Sequence, residues 1–350
     1  MLLSKCNSGF KLSLSTSVKE LVQHKEDVIM AHSDFRLSVA EERTIYHVAD
    51  IERAIEDAAG NRNEALSCLY EKMKQRGGGR FLVRPNGPDM IDGLYDSCPN
   101  FREVIDDLKK YVALSVAGNE PMSFTPILLL GEPGIGKTHF ARELANSLGT
   151  GHEFISMSSL TAGWVLSGAS SQWSNAKPGK VAHTLVHGDF ANPIVVLDEV
   201  DKAGGDSRYD PMGALYGLLE RDTARAFKDE FIDIDIDASH ILWVTTANDE
   251  RAIPEPILNR MNVYEVPRPD HDAALRIAAT LYREIVAEHD WGFPPEAEEN
   301  VLERLGSLPP RDMRKRLMAA FGSAKLEGRN CLEEGDFELA RMGRSRKIGF

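Results

Sequence analysis

The segment between residues 131 and 138 constrains the fold of this chain more than any other part of the sequence. It follows a short apolar run, Pro126–Leu130, and precedes a helical pattern, Thr138–Leu148, so it forms the turn between a strand and a helix. Its glycines let backbone N–H groups approach phosphate oxygens, and the start of the helix adds partial positive charge. This P-loop pattern predicts a site for ATP and magnesium, with Lys137 on the β- and γ-phosphates and Thr138 on the metal. The predicted nucleotide-binding residues of the loop are Gly131, Glu132, Pro133, Gly134, Ile135, Gly136, Lys137 and Thr138.

Two further apolar runs end in polar residues of the kind that ATP hydrolysis requires. Ile194–Leu197 reads as a buried strand and is followed by Asp198 and Glu199. Ligands bind at the carboxyl ends of parallel strands, so we expect Asp198 to hold magnesium through water. Glu199 is then the expected base for the attacking water. Ile241–Thr246 is a third strand, and Asn248 beyond its end is expected to orient the same water.

The order of these elements predicts an α/β fold. Short continuous apolar strands that alternate with helices indicate a parallel sheet covered on both faces. From His271 onward the apolar spacing is helical throughout, which indicates a smaller helical domain, a lid. We therefore predict three parts: a partly disordered N-terminal helical region over residues 1–80, a nucleotide-binding domain over 81–268, and a helical lid over 269–350.

The region before the P-loop carries local signals for helices and a joint. Val48–Lys74 has helical apolar spacing interrupted near its middle, which predicts a helical hairpin. The three glycines Gly77–Gly79 that follow predict a flexible joint. Asn100 precedes Glu103 by three residues, a spacing that predicts a capping box at the start of the next helix.

The composition narrows the classes of function. The 54 acidic and 41 basic side chains give a net charge of −13, which disfavours nonspecific binding to nucleic acid. No apolar run approaches the roughly 20 residues of a membrane span, and no signal peptide is evident. The four cysteines lie far apart, as is typical of reduced thiols, so we expect a cytoplasmic protein. Met30 is an alternative start to Met1.

From about Pro126 to Pro267 the chain resembles the AAA+ module of Lon-type proteases. The resemblance is closest in these segments: Pro178–Lys180, Leu197–Lys202, Asp210–Pro211, Thr246–Asn248 and Ile253–Met261. It implies an AAA+ fold with a C-terminal helical lid, and nucleotide in the crevice between the two. It covers the region up to about residue 343 more loosely.

The resemblance also implies roles for individual residues around the nucleotide. Asn248 corresponds to the sensor 1 residue. Arg260 corresponds to the arginine finger, which reaches the γ-phosphate bound by a neighbouring subunit. Arg311 corresponds to sensor 2 on the lid, and Arg314, one turn along, is the alternative.

The segment from Ser171 to Gly179 is placed like the first pore loop of the family, in which an aromatic residue grips an extended polypeptide. Trp173 stands at the aromatic position, whereas Ser174 replaces the usual aliphatic neighbour. The segment from Gly204 to Asp210 is placed like a second pore loop, with Tyr209 as its candidate contact. His183 and His187 have ligand-like spacing, but a structural or surface pair is the favoured interpretation.

Together these features lead us to expect a ring-forming ATPase, most simply a hexamer, that remodels or unfolds protein drawn through its central pore. The chain has no segment that resembles the family's Ser–Lys peptidase domain, so we expect no proteolytic activity of its own. The alternatives are an ATP-dependent regulatory switch or adaptor and, less favoured by the net charge, a nucleic-acid motor.

Overall fold

The computed structural model describes residues 38–57, 63–159, 163–173, 175–203, 210 and 212–337. The strands are β1 (Ser38–Thr44), β2 (Gly79–Arg84), β3 (Ile127–Leu130), β4 (His152–Ser156), β5 (Ile194–Asp198), β6 (Phe227–Lys228), β7 (Asp235–Ile236), β8 (Leu242–Ala247) and β9 (Asn262–Glu265). The α-helices are α1 (Val48–Asp57), α2 (Glu64–Arg76), α3 (Leu94–Ser97), α4 (Arg102–Gly118), α5 (Lys137–Leu148), α6 (Trp164–Ser167), α7 (Lys180–His187), α8 (Leu215–Leu218), α9 (Arg221–Ala224), α10 (Glu255–Leu258), α11 (His271–Glu288), α12 (Glu299–Gly306) and α13 (Pro310–Leu326). Single 3₁₀ turns cover Pro88–Ile91, Pro99–Phe101, Met157–Ser159, Val200–Lys202, Glu250–Ala252 and Glu334–Phe337.

A five-stranded parallel sheet forms the centre of the molecule, in the order β4–β5–β8–β3–β9. Its inner strands are buried along almost their whole length, and helices pack on both faces, as a parallel sheet requires. The α/β prediction is therefore confirmed. Because β5, β8 and β3 are neighbours, the segments that follow their carboxyl ends lie side by side at one edge.

The N-terminal elements pack against this sheet. β1 and β2 pair antiparallel, and the core that contains Ile51 and Met73 also contains residues of β5 and α7. The buried Arg80 on β2 donates hydrogen bonds to the carbonyl oxygens of Leu185 (2.9 Å) and Val186 (2.6 Å) in the last turn of α7. Its guanidinium thus caps that helix end, where unpaired carbonyls and the helix dipole favour a cation. β2 crosses the boundary predicted after residue 80, and the three-part division remains a prediction.

The predicted helical hairpin is present as α1 and α2, but the glycine joint after it is packed. Gly78 lies so close to Tyr46 that a Cβ there would stand 1.8 Å from the Tyr46 carbonyl oxygen. The Ile45 amide donates to the Gly78 carbonyl (2.9 Å), and Gly79 begins β2. The flexible joint was therefore a wrong prediction, because these glycines permit close approach of two backbones.

The predicted capping box is also absent, since α4 begins at Arg102 without a side-chain cap. The Asn100 side chain instead donates to the carbonyl oxygens of Ile135 (3.3 Å) and Pro267 (3.1 Å). Asn100 thereby joins the P-loop to the segment that leads into the lid.

The lid consists of α11, α12 and α13 around its own apolar core. Tyr282 and Phe321 are fully buried at its centre, with ring centroids 5.4 Å apart. Asp270 caps α11 by accepting a hydrogen bond from the Ala273 amide (2.8 Å). The lid can therefore hold its shape as a unit while it faces the sheet across a cleft.

Candidate nucleotide site

A cleft of about 530 Å³ lies between the carboxyl edge of the sheet and the lid. Its wall on the sheet side carries most of the predicted phosphate residues and both predicted metal residues, together with three positions to which the sequence analysis gave no role. The lining residues on this side are Ser97, Pro133, Gly134, Gly136, Lys137, Thr138, His139, Asp198, Glu199, Thr246 and Asn248. The fold therefore brings together the three strand-end segments that the sequence marked separately.

The P-loop places Lys137 at the bottom of the cleft. Its ammonium group donates to the carbonyl oxygens of Gly131 (2.6 Å) and Glu132 (3.0 Å) and to Asn248 Oδ1 (2.9 Å). Burial lowers the pKa of Lys137, and the nearby acids, above all Asp201, act in the opposite direction. These oxygens hold the ammonium group near its predicted place beside the phosphates.

Three residues of the P-loop do not line the cleft. Gly131 packs on the Val266 carbonyl oxygen, where a Cβ would stand at 2.7 Å. The exposed Glu132 pairs with Arg268 in the segment before the lid, with Nε and Oε2 2.8 Å apart. Ile135 is buried in the core that contains Leu129 of β3. These three positions shape the loop, while Gly134 and Gly136, both at positive φ, form the part that faces the cleft.

Asp198 accepts hydrogen bonds from two hydroxyl groups in the cleft. Its Oδ1 lies 2.8 Å from Thr138 Oγ1 and 2.7 Å from Thr246 Oγ1. Magnesium prefers oxygen ligands and is commonly held by one or two protein oxygens together with phosphates. The Thr138 hydroxyl and the Asp198 carboxylate provide such oxygens next to the P-loop, so the residues present fit a magnesium ion.

Glu199 occupies a left-handed backbone conformation with φ of 56°. That conformation is unfavourable for a residue with a side chain, and such residues concentrate at functional sites. Its amide donates to Thr246 Oγ1 (3.0 Å). Hydrogen bonds from Lys202 and then from Ser158 lower the pKa of the Glu199 carboxyl, so it is ionised at neutral pH. An ionised carboxylate beside the phosphate cradle has the charge state that a general base needs.

The lid contributes the opposite wall of the cleft. Its lining residues are Ile277, Thr280, Leu281, Glu284, Pro310, Arg311 and Arg314. Arg311 faces Gly134 and makes no hydrogen bond or ion pair with another described residue. Arg314 is engaged with Glu288 through an ion pair of 2.7 Å. Of the two candidates for sensor 2, the geometry favours Arg311, because its guanidinium is free to contact a phosphate.

Comparison with known proteins identifies the family of this part of the chain. The family model for AAA, described as "ATPase family associated with various cellular activities", matches residues 127–268. This chain contains an AAA ATPase domain.

Within the AAA class, the sequence is similar to Lon proteases. It is 34% identical over 189 residues to Lon protease of Halothermothrix orenii, a match that covers 53% of this chain and 24% of that protein. It is 38% identical over 143 residues to Lon protease 2 of Sorangium cellulosum, covering 41% of this chain and 18% of that protein. The match thus spans about a quarter or less of the length of these curated relatives.

A solved structure supports the fold independently. A closed-state cryo-EM reconstruction of Hsp104 with ATPγS and FITC casein aligns with a TM-score of 0.54 at 17% identity. The alignment covers 68% of this chain and 48% of that chain. At this level of identity the likeness shows an AAA+ fold.

Arg260 lies outside the AAA cleft of its own chain. Its Nη2 is 3.1 Å from Glu220 Oε2, and Nη1 donates to the Pro256 carbonyl oxygen. Its buried Nε has no hydrogen-bond partner among the described residues. The cleft of a single chain therefore brings together the P-loop, Asp198 and Glu199, but Arg260 of the same chain is not part of it.

Trp173 also lies away from the cleft and is 49% exposed. It makes an edge-to-face contact with Trp164, which is 39% exposed, with ring centroids 6.0 Å apart. Tyr209 and Ser174 lie outside the described residues. The His183 and His187 rings stack with centroids 4.4 Å apart. No group of three or more potential metal-binding His, Cys, Asp or Glu side chains occurs in the described ranges.

Thr246 lines the cleft, but the sequence analysis named it only as part of a segment and assigned it no role. Its position two residues before Asn248, at the end of a strand that neighbours Asp198, was the available signal. Nothing in the spacing showed that one hydroxyl would contact both acidic residues. Glu284 on the lid was missed altogether, because a glutamate on an amphipathic helix has no distinguishing pattern.

Proposed function

We propose that this chain is a ring-forming AAA+ ATPase, most simply a hexamer, that remodels or unfolds protein substrates. The observation that carries the remodelling role is the exposed Trp173 beside Trp164, outside the nucleotide cleft. Large aromatic side chains rarely remain exposed in pairs without a binding role. Their place just before α7 agrees with the pore-loop position implied by the resemblance to Lon-type proteases. The similarity to Lon proteases and to the Hsp104 structure determined with casein supports the same interpretation.

In this proposal the cleft binds ATP with magnesium. Thr138 and Asp198 would hold the metal, which would neutralise charge on the phosphates when bound. Lys137 exchanges its bonds to loop carbonyl oxygens for bonds to phosphate oxygens. Glu199 accepts the proton of the attacking water, and Asn248 orients that water. Arg311 contacts the phosphates from the lid, so loss of the γ-phosphate removes a contact that keeps the lid close to the sheet.

Arg260 supports the ring. The exposed ion pair with Glu220 stabilises its present position by less than about 1 kcal/mol, so a neighbouring nucleotide can compete for it. An arginine that completes the site of a neighbouring subunit requires the subunits to assemble, and such an assembly closes most simply as a ring with cyclic symmetry.

The described helices include none with the length and apolar character needed to cross a membrane.

A folded fluorescent protein with an unstructured tag tests the remodelling role. With ATP, the wild type should abolish its fluorescence. Trp173→Ala should slow that loss about fivefold, since a contact with an aromatic ring contributes on the order of 1 kcal/mol. Basal ATPase should stay within about twofold, because Trp173 is outside the cleft.

Trp173→Phe is the matched control, since it retains an aromatic ring and should retain most of the unfolding rate. If the wild type hydrolyses ATP, assembles with ATP and never unfolds the substrate, the remodelling role is wrong and a regulatory switch is the better description. Stimulation of the ATPase by DNA that falls steeply with salt would instead favour a nucleic-acid motor.

A further inference from the structure

One carboxylate in the nucleotide cleft has no partner. Glu284, on the cleft face of α11, makes no hydrogen bond or ion pair with another described residue. Its side chain is partly buried, whereas Glu288, one turn later, is more exposed and pairs with Arg314. A carboxylate that is partly removed from water and unpaired loses hydration without compensation, so the cleft holds an acceptor that is ready for hydrogen-bond donors.

The charges around Glu284 come from three elements. Burial raises its pKa, and Glu143 on α5 and Glu288 on α11 act in the same direction. The His139 ring on α5 and the Arg314 guanidinium on α13 act in the opposite direction. None of these groups neutralises Glu284 by direct contact, so its acceptor atoms remain available to a ligand in the cleft.

The position of Glu284 identifies the part of the nucleotide that it faces. It cannot accept hydrogen bonds from phosphates, because both carry negative charge. Among the neighbouring charged groups, the largest effect on its pKa comes from His139, which directly follows Thr138 of the phosphate cradle. The group that Glu284 meets therefore lies close to the phosphates without being one of them.

The same helix also contributes an apolar surface to the cleft. Ile277 and Leu281 are one turn apart on the cleft face of α11 and form its apolar part. An apolar wall suits the flat face of a purine. Glu284 lies three residues beyond Leu281, a rise of about 4.5 Å along the helix, which is on the order of the step from a base to its sugar.

We propose that Glu284 recognises the ribose of the bound nucleotide by accepting hydrogen bonds from its hydroxyl groups. The residue thereby makes the cleft selective for ribonucleotides over nucleotides that lack these hydroxyls. It acts on the lid side, so the same contact joins the sugar to α11 when nucleotide is present.

Calorimetric titration of the full chain with ADP, 2′,3′-dideoxy-ADP and GDP tests this proposal by binding alone. The wild type should bind ADP at least about tenfold more tightly than the dideoxy analogue, as expected for hydrogen bonds to a charged acceptor. Glu284→Ala should bring the two dissociation constants within about twofold, through weaker binding of ADP. Glu284→Gln keeps the shape and should retain part of the difference.

Glu143→Gln is the matched control, because it removes a neighbouring negative charge that does not line the cleft. It should leave the preference for ADP over the dideoxy analogue unchanged. The proposal is overturned if Glu284→Ala and Glu284→Gln both keep the wild-type preference. It is equally overturned if they change the preference for ADP over GDP instead, since the carboxylate would then face the base.

Discussion

The hydroxyl group of Thr246 donates a hydrogen bond to Asp198, with 2.7 Å between Oγ1 and Oδ1. The same oxygen accepts a hydrogen bond from the Glu199 amide (3.0 Å). One side chain on β8 therefore fixes the end of β5, where the proposed metal residue and the proposed base are adjacent. Because Glu199 is held in a strained backbone conformation, this bond contributes to keeping its side chain on the cleft side.

Replacing Thr246 by valine should lower kcat about ten- to a hundredfold, with little change in the dissociation constant of ATP. Valine has nearly the same shape but can neither donate to Asp198 nor accept from Glu199, so both acids lose a positioning contact. Steady-state ATPase assays together with nucleotide binding separate the two effects. Thr245→Val is the control: Thr245 is buried on the same strand and donates to the Ile127 carbonyl oxygen (2.9 Å). Thr245→Val should lower the free energy of unfolding and leave kcat within about threefold of the wild-type value. Equal losses of kcat in both variants would contradict the positioning role.

Lys137 and Glu199 should separate binding from hydrolysis. Lys137→Ala removes a cation from the cradle and should raise the dissociation constant of ATP at least about tenfold. Glu199→Gln keeps the shape and loses the base, so kcat should fall about a hundredfold or more while ATP binding stays within about threefold. Unchanged ATP affinity in the first variant, or normal turnover in the second, would remove the proposed role of that residue.

Arg260→Ala should lower kcat for ATP hydrolysis about 10³-fold if the residue acts as an arginine finger. Mixing Arg260→Ala subunits with Lys137→Ala subunits should restore part of the activity, since one supplies the cradle and the other the finger. Arg251→Ala is a suitable control, because Arg251, like Arg260, pairs with a nearby acid, in this case Asp249. Sedimentation of the Glu199→Gln variant with ATP measures the assembly directly. A monomer under those conditions would contradict the ring.

Asp229 should give the stability of the chain a characteristic pH dependence. Its buried carboxylate accepts hydrogen bonds from the amides of Gly179 (2.8 Å), Phe231 (2.9 Å) and Ile232 (3.1 Å). Burial nevertheless raises its pKa from 3.8 to about 6. The folded state thus binds this proton more tightly than the unfolded state, so the contribution is full at low pH and is lost as pH rises through about 6.

Comparison with Asp229→Asn isolates that contribution, because the amide does not titrate. Between pH 4.5 and 7, the stability of the wild type relative to the variant should fall by about 2 kcal/mol in urea unfolding. Asp222 is exposed, so the free energy of unfolding of Asp222→Asn should change with pH in parallel with that of the wild type. A difference that grows with pH would show that the carboxylate is stabilised in its charged form.

Since Gly179 follows the segment that carries Trp173, the same variant should also weaken substrate unfolding.

The sequence was informative where chemistry depends on neighbours along the chain. The P-loop, Asp198 with Glu199, and Asn248 are each local patterns at the end of an apolar strand, and all of them reached the same cleft. The strand order places these ends together, which the alternation of strands and helices had implied. Their individual roles remain predictions until the variants are measured.

Features that depend on distant partners were not accessible in this way. β4 and β9 have mixed polarity because they lie at the edges of the sheet, so they lack the continuous apolar run of β5. Asn100 matched a local capping pattern, yet carbonyl groups of Ile135 and Pro267, far along the chain, bind its side chain. Local propensity lost to tertiary hydrogen bonding at that position.

The guanidinium of Arg80 at the end of α7 has a consequence for how this protein loses its structure. Removing the residues up to and including Arg80 would leave carbonyl groups of α7 without a donor, close to the core that holds β5. The elements before residue 85 are therefore expected to melt together with the ATPase sheet in a single cooperative transition. Such an N-terminal region is not a separable unit that can be exchanged between ATPases, and changes to it should be inherited alongside compensating changes in α7.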